Sequence, residues 1–163
     1  MEKILVSACL AGEKCKYSGG HNLVPAIAEL VRRGKAVPAC PEALGGLTIP
    51  RSPAEIRGGD GYDVLAGRAR VVDKEGRDVT AAFLRGAAAT LTKAREIGAE
   101  LVVLKEKSPS CGSKLIYDGT FSGTTRPGPG VTTALLREQG FRVISEGEFA
   151  SKVKKCGSGD IIP

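Results

Sequence analysis

The chain has 163 residues, 42% hydrophobic and 26% charged, with a formal net charge of +6, five cysteines and one histidine. That composition excludes a disordered chain, and the length suffices to bury a core without disulfide staples, so residues 1–163 are read as a single α/β domain. No apolar run approaches the roughly 20 residues that span a bilayer and the first ten residues lack a signal-peptide apolar region, so a cytoplasmic location with no membrane partner is expected.

Ile4-Leu5-Val6 predicts a short buried strand, ended by the Gly-rich residues 11–20. Val24, Ile27, Ala28, Leu30 and Val31 recur at helical spacing over residues 23–33, and Gly34 supplies the stop. Residues 36–39 lead into Cys40 as a second strand, which Pro38 makes short or irregular. Residues 45–77 are broken by Gly45, Gly46, Gly58, Gly59, Gly61 and Gly67 and by Pro50 and Pro53, leaving only residues 69–73 as a strand, so this stretch is expected to be a small β-containing insertion over the site.

Asp78 or Thr80 is expected to cap a long helix through about Ile97, with Gly98 closing it. Leu101-Val102-Val103-Leu104 is the clearest buried strand. Leu115-Ile116-Tyr117 and Thr120-Phe121-Ser122 predict a tight hairpin about Asp118-Gly119. A turn over residues 123–130 precedes a helix through Glu138, then a last strand at Phe141-Arg142-Val143-Ile144 and a short helix over residues 146–155. This order predicts a mostly parallel Rossmann-like sheet with helices on both faces.

Cys9, Cys40 and Cys111 each sit just beyond one of the predicted strands. In a parallel sheet the loops leaving the carboxyl ends of the strands converge at one edge, where open α/β folds place their ligands. An odd cysteine count at irregular spacing in a reducing compartment argues for thiolates used as ligands or nucleophiles rather than for disulfides. The spacing admits a thiolate-bound iron-sulfur cluster, a zinc site or three unconnected cysteines, because zinc usually takes close Cys pairs and these come singly. Cys15, six residues after Cys9, is open to three readings: a fourth ligand, a redox partner or a lining residue. Cys156 is placed outside the site.

Glu42 stands two residues after Cys40, where its carboxylate can serve as a proton donor or acceptor or as a helix-capping group. Ser108 and Ser110 flank Pro109 before Cys111 and can bond a substrate or stabilise a turn. Gly128-Pro129-Gly130-Val131-Thr132 sets backbone N–H groups at a helix start, a natural anion site. His21, as the single histidine, is assigned to capping or packing. The Lys and Arg residues are spread along the chain with no aromatic-interleaved stripe, so a nucleic-acid partner is not favoured; the basic surface can attract anionic substrates.

Ser7-Ala8-Cys9-Leu10, Cys15-Lys16-Tyr17-Ser18-Gly19-Gly20, Cys40-Pro41-Glu42, Lys107-Ser108-Pro109-Ser110-Cys111-Gly112, Asp118-Gly119-Thr120-Phe121 and Gly130-Val131-Thr132 occur in this order. The ordered set resembles the motifs of a bacterial and archaeal family, once a domain of unknown function, that includes 2-thiouracil desulfurase. The resemblance implies a 4Fe-4S cluster held by Cys9, Cys40 and Cys111, with one iron not ligated by protein, and catalytic roles for Glu42 and Ser108. It implies desulfuration of a small thiolated base such as 2-thiouracil, without net redox change, releasing sulfide and leaving the oxo base. Cys15 falls at a position that varies in type within the family, and Ser18 stands where Asp is commoner. Two alternatives stand beside this reading: a desulfurase of thiolated nucleosides or tRNA, and a non-catalytic cluster or zinc-binding module. The oligomeric state is left open by the sequence.

Overall fold

The computed structural model describes residues 3–156, with side chains described through Val153. In its first half the chain forms β1 (Lys3–Ser7), α1 (Pro25–Arg32), β2 (Ala36–Ala39), α2 (Pro41–Leu44), β3 (Ala54–Arg57), α3 (Gly61–Leu65) and β4 (Arg70–Asp73). The second half forms α4 (Thr80–Ile97), β5 (Ala99–Leu104), β6 (Leu115–Tyr117), β7 (Thr125–Pro127), α5 (Val131–Glu138), β8 (Val143–Ser145) and α6 (Glu146–Cys156). Cys156 ends α6, and its side chain lies outside those described.

Four strands make one parallel sheet in the order β2-β1-β5-β8, with Leu5 facing Val37 on one side and Val102 on the other. Alternation along these strands supplies both faces. Ile4, Val6, Leu101, Val103 and Ile144 pack with Ile27 and Leu30 of α1 and Phe149 of α6. Leu5, Val102, Leu104 and Val143 pack on the opposite face with Ala94 of α4 and Leu136 of α5. The expected α/β architecture with helices on both faces is present. Pro38 sits on β2 at the edge of the sheet, where the missing N–H costs no ladder bond on the open side.

Residues 45–77 hold more regular structure than their glycines suggest. β4 covers the expected strand, but it pairs antiparallel with β3, and α3 lies between them. A reciprocal capping box fixes α3: Asp60 accepts from the N–H groups of Tyr62 and Asp63, and Asp63 accepts from that of Asp60. Ile56 and Val71 of this unit bury against Phe83, Ile116 and Val131, forming a third apolar cluster beside the sheet.

The long helix begins at Thr80 as expected, but its cap position is Val79, which makes no side-chain capping bond. Asp78, one residue earlier, accepts from the Thr80 N–H at 2.9 Å. Thr80 instead accepts the Val71 N–H at 2.9 Å, tying α4 to β4. Gly98 closes the helix in the left-handed conformation at φ 63.

The hairpin after Cys111 is wider than expected, since β6 pairs with Thr125–Pro127 and residues 120–122 lie in the turn. Asp118 captures the Thr120 N–H at 3.0 Å, and Glu55 captures those of Gly119 and Phe121. Donors spent on carboxylates are not available to a ladder.

One glycine pair sets the position of α2. A Cβ on Gly86, in the middle of α4, would run into the Pro41 carbonyl oxygen, and one on Gly45 would run into that of Ala82. The two helices approach backbone to backbone, which fixes the turn that carries Glu42.

Candidate active site

The three cysteine-bearing loops leave the carboxyl ends of β1, β2 and β5 and line one cavity of about 510 Å³. Cys9 lies in a 3-10 turn directly after β1, and Cys40 is the residue between β2 and α2. Cys9, Cys15, Cys40, Cys111, Glu42 and Ser108 all line that cavity, so the fold brings every expected site residue to one place. Ser110 is turned away from the cavity into the structure, its hydroxyl 2.7 Å from that of Thr132. His21 caps locally, its Nδ1 accepting the Leu23 N–H at 3.1 Å.

Cys9 and Cys40 stand among donors. The Cys15 thiol lowers Cys9 to about 7, helped by the Asn22 amide, 3.5 Å from Cys9 Sγ, and by the Lys105 charge. Cys15 lowers Cys40 to about 6, with further help from the Ala43 N–H at the start of α2 and from Arg51. Cys15 itself is held as a neutral thiol by bonding to Cys40 and Cys9 and by its burial. Cys111 is the opposite case: burial raises it well above the usual thiol range, and the Glu42 carboxylate raises it further.

Glu42 occupies the first turn of α2 and pairs with Arg51, Oε1 to Nε at 3.2 Å. The Arg51 side chain is 7% exposed and also donates to the carbonyls of Thr48 at 3.1 Å and Cys15 at 3.0 Å. One guanidinium thus ties the Cys15 loop to the proton-carrying candidate. Burial nevertheless raises the Glu42 carboxyl, against the lowering effects of Arg51 and of the Ser108 hydroxyl. Ser108 Oγ accepts the N–H groups of Ser110 and Cys111, both at 3.1 Å, and its hydroxyl lowers the Glu42 carboxyl. Ser108 therefore stabilises the turn and acts on the carboxylate at once.

The Cys111 loop is locked from two directions. Glu106 accepts from Ser113 N at 2.7 Å, Ser113 Oγ at 2.8 Å, Lys114 N at 3.1 Å and Leu115 N at 3.2 Å. Burial acts to raise its carboxyl, but these bonds prevail and hold it below the ordinary range. The start of α5 does the rest: Gly130 N donates to Gly112 O, Val131 N to Pro109 O and Thr132 N to Ser110 O, at 2.8 to 2.9 Å. These helix-start donors are consumed by the loop's carbonyls, so the turn is of the kind that serves its neighbouring loop and not an anion. Thr133 Oγ1 adds a bond to Cys111 O at 2.9 Å.

Arg51, Glu55 and Glu106 are the site residues that sequence reasoning passed over. Arg51 and Glu55 lie in the stretch read as a broken insertion, and the partners of Glu55 are more than sixty residues away. Glu106 gave a signal only as an acidic residue just past a buried strand. Among the described residues, no three His, Cys, Asp or Glu side chains are gathered closely enough to share a single metal ion. Also among the described residues, no helix is long and apolar enough to cross a membrane.

A family profile described as 2-thiouracil desulfurase matches residues 4–148. The chain belongs to the 2-thiouracil desulfurase family. A family relative from Bacillus subtilis (strain 168), the uncharacterized protein YbbK, is 57% identical over 146 residues, 90% of this chain and 97% of its own. Among solved structures, the [4Fe-4S]-dependent thiouracil desulfidase TudS matches with a TM-score of 0.82 and 42% identity, over 96% of this chain and 98% of that one. The 2-thiouracil desulfurase profile covers Cys9, Cys40, Glu42, Ser108 and Cys111.

Proposed function

We propose that this chain removes sulfur from a thiolated nucleobase such as 2-thiouracil by hydrolysis, releasing sulfide and leaving the oxo base. Its cofactor in this reading is a 4Fe-4S cluster held by Cys9, Cys40 and Cys111, with Cys15 outside the ligand set and the whole chain working as one domain. The observation that carries the reading is the meeting of three separate thiols with the Glu42 and Ser108 pair around one cavity, in a chain 42% identical to a cluster-dependent thiouracil desulfidase. The donor set fits the cluster: thiols from three separate loops line one cavity, and thiolates are the usual protein ligands of such a cluster.

A cluster with three cysteine ligands supplies Lewis acidity toward a thiocarbonyl sulfur at its remaining iron. The residues of the chain do the proton work. Glu42 takes a proton from the water that attacks the thiocarbonyl carbon and delivers it to the departing sulfur, so that C=S and water become C=O and hydrogen sulfide with no electron left over. Burial raises its carboxyl, which makes the carboxylate a stronger proton acceptor than an exposed one. Arg51 holds the carboxylate in place, and the Ser108 hydroxyl orients it.

The cavity also has Lys16, Lys74, Lys105 and Lys107 on its lining, which favours a second reading in which thiolated nucleosides enter as phosphate esters or within tRNA, as well as free bases. Sulfide release by the anaerobically loaded protein from 2-thiouracil and 2-thiouridine 5′-monophosphate, compared side by side, separates the two. Glu42→Gln should keep its iron and lose about 10² to 10⁴ of turnover, the usual contribution of a general acid-base group. Near-normal sulfide release by cluster-loaded Glu42→Gln would exclude that role.

A further inference from the structure

The cavity has one wall that the proton chemistry leaves unused. It is formed by the turn between β6 and β7, which brings Tyr117, Phe121 and Gly123 to the lining. Asp118 closes that turn from within, its N–H donating to the Thr124 carbonyl at 3.0 Å and its carboxylate accepting the Thr120 N–H at 3.0 Å, and β3 pins it from outside. Glu55, on β3 and 8% exposed, accepts the N–H groups of Gly119 at 2.9 Å and Phe121 at 3.1 Å. Arg57, two residues further along β3, donates to the Gly119 carbonyl at 3.1 Å. Its guanidinium lies over the Phe121 ring, 5.9 Å from the centroid, so the ring is backed by a cation.

Phe121 is also set in a backbone conformation that bulky residues avoid, at φ 55. Among the described residues only Phe121 and Lys107 have positive φ without being glycine, and both line this cavity. Strain of this kind persists where surrounding contacts over-determine it, and it gathers at ligand sites. Here the over-determining contacts are the Glu55 carboxylate and Arg57, and their combined effect is to present an aromatic face beside a thiol-lined cavity.

We infer that Phe121 is the specificity-determining surface of the site, stacking on the flat ring of the thiolated base, with Glu55 and Arg57 as its positioning residues. The inference rests on the desulfurase reading and adds to it a reason for selecting planar heteroaromatic rings over open-chain thiocarbonyl compounds. A stacked face reads flatness and polarisability and gives affinity without touching the proton transfer, so its loss falls on KM and on product binding rather than on kcat.

The test uses the cluster-loaded protein and two readouts, the affinity for uracil by calorimetry and the kinetics of sulfide release from 2-thiouracil. Phe121→Ala should weaken uracil binding and raise KM together, by about fivefold to a hundredfold, the span of base-aromatic stacking. Phe121→Tyr should restore binding, Phe121→Leu should restore less, and Glu55→Gln should shift KM in the same direction by a smaller factor. The advantage of 2-thiouracil over N,N′-dimethylthiourea should shrink in Phe121→Ala. Unchanged KM and uracil affinity in Phe121→Ala with native iron content would overturn the proposal. So would a loss in kcat at constant KM, or full restoration by Phe121→Leu. Phe121-dependent uracil binding by a wild-type protein that releases no sulfide would support the stacking surface and overturn the desulfurase reading alone.

Discussion

The Cys9 and Cys40 surroundings and the Cys111 loop serve the same cavity but are built by opposite means. Cys9 and Cys40 are surrounded by donors, including Asn22, Lys105, Arg51 and the neutral Cys15 thiol, which bring them to about 7 and about 6. Cys111 is held by main-chain bonds to Ser108 and α5 and by the Glu106 staple, while burial and Glu42 keep it a thiol. The first region supplies charge and the second supplies position. Cys9 and Cys40 are thus the more acidic thiols of the proposed ligand set, and Cys111 is the least acidic.

On the charged side, Arg51 serves Glu42 and the Cys15 carbonyl without touching the Cys111 loop. Arg51→Met strands a largely buried carboxylate, and urea unfolding at pH 7 should show a loss of about 3 to 5 kcal/mol. A loss under about 1 kcal/mol would mean that water already screens the pair as it does at a surface.

Thiol labelling of the cluster-free protein distinguishes the two regions. At pH 7 Cys40 and Cys9 carry more thiolate than the buried Cys111, so iodoacetamide should modify Cys40 and Cys9 ahead of Cys111. Mass spectrometry of the tryptic peptides over time reads the order. Equal rates would erase the distinction between the two regions.

A smaller effect tests the positional side. The Glu106 carboxyl is lower in the folded protein than in the unfolded chain, so its stabilisation is present above the unfolded value near 4.3 and is lost as pH falls through the folded value. Glu106→Gln should therefore reduce stability at pH 7 and flatten the acid limb of the pH-stability curve below about pH 4. An acid limb unchanged from wild type would show that the staple does not carry the loop.

The sheet and the cysteines were legible because both follow from local pattern: a buried apolar run predicts a strand, and a cysteine just beyond it lands at the sheet edge. Glu42 and Ser108 were legible by adjacency to those cysteines, though Ser108 proved to be a turn residue and a carboxylate partner together. What escaped is what acts across the chain. Glu55 reaches Gly119 and Phe121 and so converts an expected tight hairpin into a wide turn. Gly86 carries no local sign of its use, since helix propensity counts it as a defect while its missing side chain is what admits the Pro41 carbonyl. The donors at the start of α5 looked free in sequence because the carbonyls that use them come from residues 109–112.

In the proposed reading Cys9, Cys40 and Cys111 hold a 4Fe-4S cluster and Cys15 does not. Iron and acid-labile sulfide, measured on anaerobically reconstituted wild type and on Cys9→Ser, Cys15→Ser, Cys40→Ser and Cys111→Ser, test it most directly. The prediction is 4Fe-4S stoichiometry in wild type and Cys15→Ser, and its loss in the other three. Loss of the cluster in Cys15→Ser, or full retention in Cys9→Ser, would contradict it.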